Sequence, residues 1–293
     1  MRIVSLLPSA TEILFAIGAG EDVIGVTHEC DYPPEALRLP KVTSSSGPDL
    51  DDPGEIDRHV RAAMHAGSSL YALDGALLER LAPDLIVTQE LCPVCAVSYE
   101  IVARAATRLR SDPRIISLEP YSLEDVLANI ALLGEVTGKA DEARRLVQEL
   151  RLRIAALKRE VPSPFGRMRT LVLEWTEPPM SAGHWIPELV ELAGGTPILA
   201  HPGANSQRLE WDAIAAADPH AVIVAPCGLD LDKTNLVIAR LDGVEQWRSL
   251  TARRSGRVLA LDGNAYLSRP GPRLVEAAEI IARWYTTVAE YAG

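Results

Sequence analysis

Apolar and polar positions alternate along the first part of the chain in a way that predicts strands and helices in turn. Short β-branched apolar runs bounded by turn residues predict strands, and apolar residues at helical spacing predict helices. The predicted strands are residues 3–7, 23–27, 85–89 and 115–118, and the predicted helices include 11–17, 76–81 and 96–109. Strands that are apolar almost throughout favour a parallel sheet with helices on both faces.

The same pattern begins again after residue 167. Strands are predicted at residues 170–175, 221–225 and 258–261, and helices at 187–193, 211–217 and 272–285. This repetition predicts an α/β protein with two parallel-sheet lobes. The N-terminal lobe would comprise residues 1–120, and the C-terminal lobe would comprise residues 167–293.

The most regular helical pattern lies between the two predicted lobes, at residues 139–160. Its apolar residues fall on one stripe, and they are Ala143, Leu146, Val147, Leu150, Ile154 and Leu157. At about 1.5 Å per residue, a helix of this length spans roughly 33 Å. We therefore predict a bridging helical segment at residues 121–166, with Ser122 as a helix start and Gly138 as a helix stop.

The composition is that of an ordinary globular protein, with 47% hydrophobic and 24% charged residues among 293. The net charge is −11, from 29 Lys and Arg against 40 Asp and Glu. This excess of acid argues against nucleic acid and anionic membrane surfaces as partners. No apolar stretch approaches the roughly 18 residues that cross a bilayer.

The first residues lack the pattern of a signal peptide, because Pro8, Thr11 and Glu12 interrupt the initial apolar run. The sequence as given therefore predicts a cytoplasmic protein, or a periplasmic one if a leader segment precedes it. We also expect a monomer.

Residues that follow the predicted strands are the candidates for a ligand site, because ligands bind beyond the carboxyl ends of parallel strands. These rim positions hold all four cysteines, two of the six histidines and three of the five tryptophans. They are Cys30, Cys92, Cys95, Cys227, His28, His184, Trp175, Trp185 and Trp211. Such a set indicates a wide, partly aromatic pocket suited to a large flat ligand.

Cys92 and Cys95 form a C-x-x-C pair, which could build a soft-metal site with Cys30, Cys227 or His28. A single pair is weak evidence, because zinc signatures carry a second close pair. The alternative is that these thiols are reduced and partly buried. The metal site is therefore one hypothesis, and it is separate from the ligand pocket.

Catalytic motifs are missing from the sequence: it contains no glycine-rich phosphate loop, no G-x-S-x-G and no H-E-x-x-H. Glu12, His28 and His184 would act as acid–base groups only if the fold brought them together. We therefore predict a binding protein and no enzymatic activity. A chelatase-like tetrapyrrole enzyme, with a histidine in its cleft, is the alternative from another class.

Several segments together resemble the helical-backbone class of ABC-transporter substrate-binding proteins, also called class III, and within it the vitamin B12-binding branch. These segments are residues 2–18, 23–34, 83–87, 170–195, 219–224 and 257–273. The resemblance covers nearly the whole chain, apart from an extra segment at about residues 47–70, in which we predict a helix at 56–64. It implies two α/β lobes bridged by a long helix, with a cobalamin-like corrinoid held between their rims.

The resemblance also implies which residues contact the ligand. Glu29 lies where the family's second-strand loop contacts the corrinoid, and the last-strand loop corresponds to Ala265, Tyr266, Leu267, Ser268 and Arg269. Tyr266 and Arg269 could stack on a macrocycle and bind its amides or phosphate. Further cleft candidates are Trp175, Trp185, Trp211 and Asn264. His28, or else Cys30 or His184, could approach the metal of the ligand.

An ABC transporter is the macromolecular partner that the resemblance implies. The family presents one acidic residue per lobe to the transporter, and this position falls at Asp212 in the second lobe. In the first lobe it falls near Ala76, with Asp74 and Glu79 close by. No cofactor is expected beyond the ligand, and an iron or heme-type complex is the alternative to the corrinoid.

Overall fold

A computed structural model describes residues 1–45, 52–65, 70–90, 99–160 and 168–290. The contacts within the chain divide it into two units. Unit 1 comprises Met1–Leu50, Arg58–Pro120 and Asp125–Gln148, and unit 2 comprises Asp51–Asp57, Tyr121–Glu124 and Glu149–Gly293. The lobe bounds drawn from the sequence, 1–120, 121–166 and 167–293, stay a prediction.

The first half of the chain alternates strands with helices, as its apolar pattern predicts. In chain order the elements are β1 (Ile3–Ser5), α1 (Pro8–Ala16), β2 (Val23–Val26), β3 (Thr43–Ser45), α2 (Pro53–His65), β4 (Tyr71–Leu73), α3 (Gly75–Leu81), β5 (Leu85–Thr88), α4 (Tyr99–Ala106), β6 (Arg114–Ser117), α5 (Leu123–Thr137) and α6 (Ala140–Glu160). Short turns of 3₁₀ helix lie at Gly20–Asp22 and Pro34–Arg38.

The main sheet of unit 1 has four parallel strands in the order β2-β1-β5-β6. All four residues of β5 are buried, as expected for a strand that has helices on both faces. The core against this sheet includes Val4, Leu6, Ile86 and Val102. The parallel sheet predicted for the first lobe is confirmed.

The extra segment of the sequence begins and ends beside a small ribbon that the sequence did not predict. Strands β3 and β4 pair antiparallel, with Ser45 opposite Tyr71. Each strand has only three residues and is largely accessible, so the sequence signal for either strand is too short to predict it. The helix predicted at 56–64 is confirmed as α2, whereas residues 46–51 and 66–69 lie outside the described part of the chain.

The second half of the chain contains more strands than its sequence predicts. Its elements are β7 (Arg169–Thr176), β8 (Pro179–Ser181), α7 (Ile186–Leu192), β9 (Thr196–Pro197), β10 (Gln207–Arg208), α8 (Trp211–Ala217), β11 (Ala221–Val224), α9 (Leu231–Leu241), α10 (Glu245–Ser249), α11 (Thr251–Arg254), β12 (Val258–Ala260) and α12 (Arg273–Glu290). Among the residues that the structure describes, no helix combines the length and apolarity needed to cross a bilayer.

The sheet of unit 2 is mixed. Strands β7, β11 and β12 are parallel, and β9 also runs parallel to β7. Strands β8 and β10 add an antiparallel edge in the order β10-β8-β7-β11-β12. A turn at residues 177–178 joins β7 and β8 into a hairpin. The sequence missed this hairpin because β8 is only three residues long.

The long helix predicted at residues 139–160 is confirmed as α6. Its residues fall in both units, with the division between Gln148 and Glu149. Within unit 2, Arg153 of α6 donates two hydrogen bonds to the Glu279 carboxylate of α12, at 2.8 and 2.9 Å. This bond holds the pKa of Glu279 below its usual range. A parallel pair of charged hydrogen bonds thus fixes α6 to the last helix.

Replacing Arg153 with methionine should lower the free energy of unfolding by about 1 kcal/mol at neutral pH, because two charge-assisted bonds are lost at a partly exposed site. The effect should fade as acid protonates Glu279. Arg144→Met is the matched control on the same helix, since its ion pair with Asp141 is more than 70% exposed on both sides. Urea unfolding of the variants measures both effects, and equal losses would contradict the role of Arg153.

Candidate functional site

The carboxyl ends of β7, β11 and β12 bring three segments of unit 2 into contact. The Cys227 amide donates to the Glu174 carbonyl oxygen at 3.0 Å, and the Asn264 amide donates to the Leu229 carbonyl at 3.2 Å. A Cβ atom on Gly263 would lie 2.2 Å from the Pro226 carbonyl oxygen, so only glycine permits this approach. The three segments contain Glu174 near the end of β7, residues 226–229 after β11, and residues 263–264 after β12, and we call them together the unit 2 rim.

The loop after β12 forms a turn of π-helix at Gly263–Leu267. The Asp262 carboxylate begins the turn by accepting from the Ala265 amide at 2.7 Å. The indole of Trp185 holds its other end by donating to the Leu267 carbonyl at 3.0 Å. π-Helical turns are rare, and those that interrupt α-helices lie frequently at functional sites.

The π-helical turn gives the predicted last-strand residues different environments. Ala265, Tyr266 and Ser268 are partly accessible, whereas Leu267 is 1% exposed and belongs to the core. The Tyr266 hydroxyl donates to Glu276 at 3.3 Å, and the guanidinium of Arg273 lies 5.9 Å from the centre of its ring. Both contacts fix the direction of the tyrosine ring.

Arg269 is buried, with 5% of its surface exposed. Its guanidinium donates to the Asn264 side-chain oxygen at 2.9 Å. A charged group at such depth requires partners, so Arg269 holds Asn264 in place at the rim. Asn264 itself is partly accessible.

A second group of side chains surrounds His184, at the turn before α7. His184 has φ of 54°, a left-handed conformation that is uncommon outside glycine. Its ring lies 5.6 Å from the rings of both Tyr121 and Trp185. Burial lowers the pKa of His184, against the opposing effect of a hydrogen bond with Asn205. The imidazole is therefore neutral at physiological pH.

Glu174 lies beside this group and was missed in the sequence. It is the extra residue of a β-bulge, because Leu173 pairs with Ser181 and Trp175 with Met180. Its carboxyl accepts hydrogen bonds from the Ser206 side chain and the Gly183 amide. Burial nevertheless raises the pKa of Glu174 to about 7. A carboxyl with so perturbed a pKa at a strand end marks a candidate functional residue.

In unit 1, the loop after β2 carries His28 and Glu29. Nδ1 of His28 lies 2.7 Å from the Thr43 hydroxyl, and its ring lies 5.4 Å from that of Tyr71. Nε2 lies 3.2 Å from the Glu29 carboxylate but forms no hydrogen bond within the described part of the chain. Cys30 is buried, with its sulfur 3.1 Å from the Thr11 hydroxyl.

The three tryptophans predicted as pocket walls have different surroundings. Trp175 lies in β7, is partly accessible, and donates to the Glu177 carbonyl at 3.1 Å. Trp185 is 6% exposed, so only a small part of its surface can meet a ligand. Trp211 begins α8 and packs edge-on against Trp247 in the core of unit 2.

The structure describes only some of the residues in the proposed soft-metal site. Cys92 and Cys95 lie outside the described residues. Cys227 is exposed, and Cys30 is buried in unit 1. Within the described ranges, no group of three His, Cys, Asp or Glu side chains is arranged to hold a metal ion. The hypothesis that needs all four cysteines stays a prediction.

Comparisons with known proteins agree along nearly the whole chain. The profile of a family described as periplasmic binding protein matches residues 3–265. The vitamin B12-binding protein of Vibrio cholerae is 23% identical over 288 residues, covering 97% of this chain and 88% of that protein. An uncharacterized ABC transporter substrate-binding lipoprotein of Bacillus subtilis is 25% identical, covering 96% of this chain and 78% of that protein.

Solved structures share the fold. The periplasmic vitamin B12 binding protein of Vibrio cholerae has a TM-score of 0.70 at 22% identity, covering 98% of this chain and 97% of that one. A periplasmic heme-binding protein from Roseiflexus sp. RS-1 has a TM-score of 0.73 at 24% identity, covering 98% and 99%. The predicted class III fold is confirmed, while the two neighbours differ in the ligand that their names give.

Proposed function

Because the chain belongs to the periplasmic binding protein family, we propose that it binds a corrinoid of the cobalamin type and delivers it to an ABC transporter. The observation that carries this proposal is the π-helical turn at Gly263–Leu267, which holds both the partly accessible Tyr266 ring and the partly accessible Asn264 side chain. A corrinoid offers a broad apolar face and a ring of amides, which such a surface matches. The B12-binding relatives support the same ligand.

In this proposal Tyr266 supplies an aromatic contact, and Ala265 and Ser268 contribute the adjoining surface. Arg269 positions Asn264, and Leu267 anchors the turn in the core. Trp175 and Trp185 contribute to the aromatic surface of unit 2, and Trp211 has a packing role. Glu29, in the loop after β2, remains a ligand residue on the strength of the family resemblance.

Heme, or another iron complex, is the second candidate ligand. Heme-binding structures match the fold as well as the B12-binding structure does. His184 favours this candidate, because burial keeps its imidazole neutral and neutral imidazole ligates iron or cobalt. In unit 1, His28 is the candidate whose imidazole nitrogen would ligate the metal of the ligand.

The relatives named above are binding proteins, and we propose that this chain has no enzymatic activity of its own. A chelatase-like reaction remains the competing idea for the histidines. It requires catalytic insertion of a divalent metal into a porphyrin or corrin precursor. Turnover abolished by His28→Ala or His184→Ala would establish the enzyme and refute the binding-only proposal.

The transporter contact is proposed through Asp212, which is exposed at the start of α8 and accepts from Gln246 at 2.8 Å. In unit 1, the Asp74 carboxylate caps α3 by accepting from the Leu77 amide at 2.8 Å. Ala76 and Glu79 are exposed on the same helix.

The names of the relatives describe periplasmic proteins or a lipoprotein, so the comparisons support the periplasmic alternative and give no support to the predicted cytoplasmic location.

Calorimetric titration with cyanocobalamin should give a dissociation constant of about 1 μM or tighter. Tyr266→Ala should weaken binding about tenfold, because an aromatic contact of roughly 1 kcal/mol and its buried area are lost. Tyr266→Phe is the matched control: it keeps the ring, loses only the bond to Glu276, and should bind nearly as the parent protein does.

Hemin and dicyanocobinamide complete the test. No binding of either corrinoid at high micromolar concentration would refute the corrinoid proposal. Tight binding of hemin with a visible spectrum that changes in His184→Ala would then establish the heme candidate. Equal weakening by Tyr266→Ala and Tyr266→Phe would show that the hydroxyl bond, and not the ring, supports binding.

A further inference from the structure

His28 is held in unit 1 by its neighbour in the chain and by the β3–β4 ribbon. The hydroxyl of Thr43, in β3, lies 2.7 Å from Nδ1 of His28 and accepts from the His28 backbone amide at 3.0 Å. The ring of Tyr71, in β4, lies 5.4 Å from the imidazole. The hydroxyl of Thr27 lies 2.8 Å from that of Thr43. The ribbon therefore fixes the imidazole at the carboxyl end of β2.

The hydroxyls of Thr27 and Thr43 decide which nitrogen of His28 carries the proton. Both threonines are only 5% exposed, and in the described part of the chain their hydroxyls have no partners other than each other and His28. The Thr27 hydroxyl has one good acceptor, the Thr43 oxygen, because Nδ1 of His28 is 3.5 Å away. The Thr43 oxygen thus accepts from Thr27 and from the His28 amide, and its own proton goes to Nδ1.

With Nδ1 as an acceptor, the proton of a neutral imidazole lies on Nε2. A proton on Nδ1 would turn the Thr43 hydroxyl towards Thr27, and the buried Thr27 proton would then have no acceptor among the described residues. It would also direct the Nε2 lone pair at the Glu29 carboxylate, 3.2 Å away, which is unfavourable. The hydroxyl network therefore makes Nε2 a hydrogen-bond donor.

Glu29 is the acceptor that lies beside Nε2. Nε2 is buried from solvent and forms no hydrogen bond in the part of the chain that the structure describes. The Glu29 carboxylate is 3.2 Å from it, and the Glu29 side chain is 43% exposed, so a small turn of this side chain completes the bond. A ligand metal, by contrast, finds Nε2 covered and protonated, and Nδ1 bonded to Thr43.

We propose that His28 is a positioning residue, which donates from Nε2 to the Glu29 carboxylate and holds it as an acceptor for an amide N–H group of the ligand. This inference rests on the proposed function and deepens it. Glu29 follows β2 at the carboxyl end of the parallel strands, where ligands bind. The position selects ligands with carboxamide donors, which corrinoids carry, over ligands with carboxylates, such as the propionates of heme. His28 is then not a metal ligand.

Nitrogen-15 NMR of the ligand-free protein at pH 8 tests the position of the proton without any substitution. Nδ1 of His28 should have the chemical shift of an acceptor nitrogen and Nε2 that of a protonated one, with the signals assigned by their loss in His28→Gln. Thr43→Val should weaken this preference, because Nδ1 loses its donor, and Thr43→Ser should keep it, because serine retains the hydroxyl. A proton on Nδ1 of the parent protein would overturn the proposal.

Calorimetric titration with cyanocobalamin tests the role in binding. Glu29→Gln should weaken binding roughly tenfold, because a charged acceptor becomes neutral, and His28→Ala should weaken it by about three- to tenfold. His28→Gln should recover most of the affinity lost in His28→Ala, since its amide offers a donor in place of Nε2. The double variant with His28→Ala and Glu29→Gln should bind no more weakly than Glu29→Gln alone. Glu35→Gln, the same charge change at an exposed residue of the following 3₁₀ turn, is the matched control.

Additive losses in the double variant, or a loss in His28→Ala that His28→Gln does not recover, would overturn the positioning role and leave the proposed function standing. The same holds if the visible spectrum of bound hydroxocobalamin changes in His28→Ala, because the imidazole would then reach the cobalt. An equal loss in Glu35→Gln would show that net charge, and not the Glu29 contact, determines affinity. Absence of cyanocobalamin binding to the parent protein would overturn the proposed function, and the ligand contact of Glu29 with it, whereas the NMR result decides the position of the proton in either case.

Discussion

Replacing Trp247 with alanine is expected to lower the free energy of unfolding of unit 2 by about 3–5 kcal/mol. Trp247 on α10 is fully buried and touches a core that includes Leu171, Val222 and Ile214. Truncation removes the largest side chain of this core and leaves a cavity. It also removes the indole bond to Asp242, whose carboxylate accepts at 3.2 Å.

Two variants separate packing from hydrogen bonding at this site. Trp247→Phe keeps an aromatic ring in the core and should lose roughly half as much stability, since both volume and the indole donor are reduced. Trp211→Ala removes the partly accessible ring that packs edge-on at 6.2 Å from Trp247, and should lose only about 1–2 kcal/mol. Urea unfolding followed by circular dichroism measures all three. Similar losses for Trp211→Ala and Trp247→Ala would show that the core does not depend on the buried indole.

Glu174→Gln is expected to stabilise the ligand-free protein above neutral pH. The folded-state pKa of Glu174 is raised from 4.5 to about 7 by burial, so its neutral form is the one that favours folding. The contribution of Glu174 to the free energy of unfolding is fully present below pH 4.5, where the carboxyl is neutral in both states. It is lost as the pH rises towards 7, because the carboxyl of the unfolded chain ionises at a lower pH than that of the folded protein. This shift in pKa lowers the free energy of unfolding of the parent protein by about 3 kcal/mol above pH 8.

The measurement compares urea unfolding of the parent protein, Glu174→Gln and Glu177→Gln from pH 4 to pH 8.5. Glu174→Gln should match the parent at pH 4 and exceed its stability by about 3 kcal/mol at pH 8.5. Other groups with shifted pKa values, such as Asp218 and Asp242, are common to all three proteins and cancel in the difference. A constant difference at all pH values, or the same gain in Glu177→Gln, would contradict the burial of an ionisable Glu174.

The parts of the fold that the sequence predicted are those with long, regular apolar patterns. Helix α6 was predicted to within one residue, and α8 was predicted with its observed bounds. The central strands β5, β7 and β11 were found because each contains a run of at least three apolar residues. Strands β3, β8 and β10 have two or three residues, and their pairing partners supply most of what makes them strands.

The ligand site was only partly accessible to sequence reasoning. The order of strands and helices placed Tyr266 and His184 after their strands, and the resemblance named the last-strand loop. The direction of each side chain in that loop depends on the π-helical turn, which Trp185 and Asp262 stabilise from outside it. Leu267 and Arg269 are therefore buried, although their neighbours Tyr266 and Ser268 are accessible.

The sequence by itself determined the α/β class, the two parallel-strand patterns and the long helix, because hydrophobic periodicity is a local property of the chain. Only the tertiary structure decided that Glu174 is a half-buried residue whose carboxyl has a raised pKa. Its β-bulge depends on how β7 pairs with β8, and Ser206, which donates to its carboxyl, lies well beyond this hairpin in the sequence. The free energy of a charge depends on everything that excludes water around it, and no local pattern in the sequence records that surrounding.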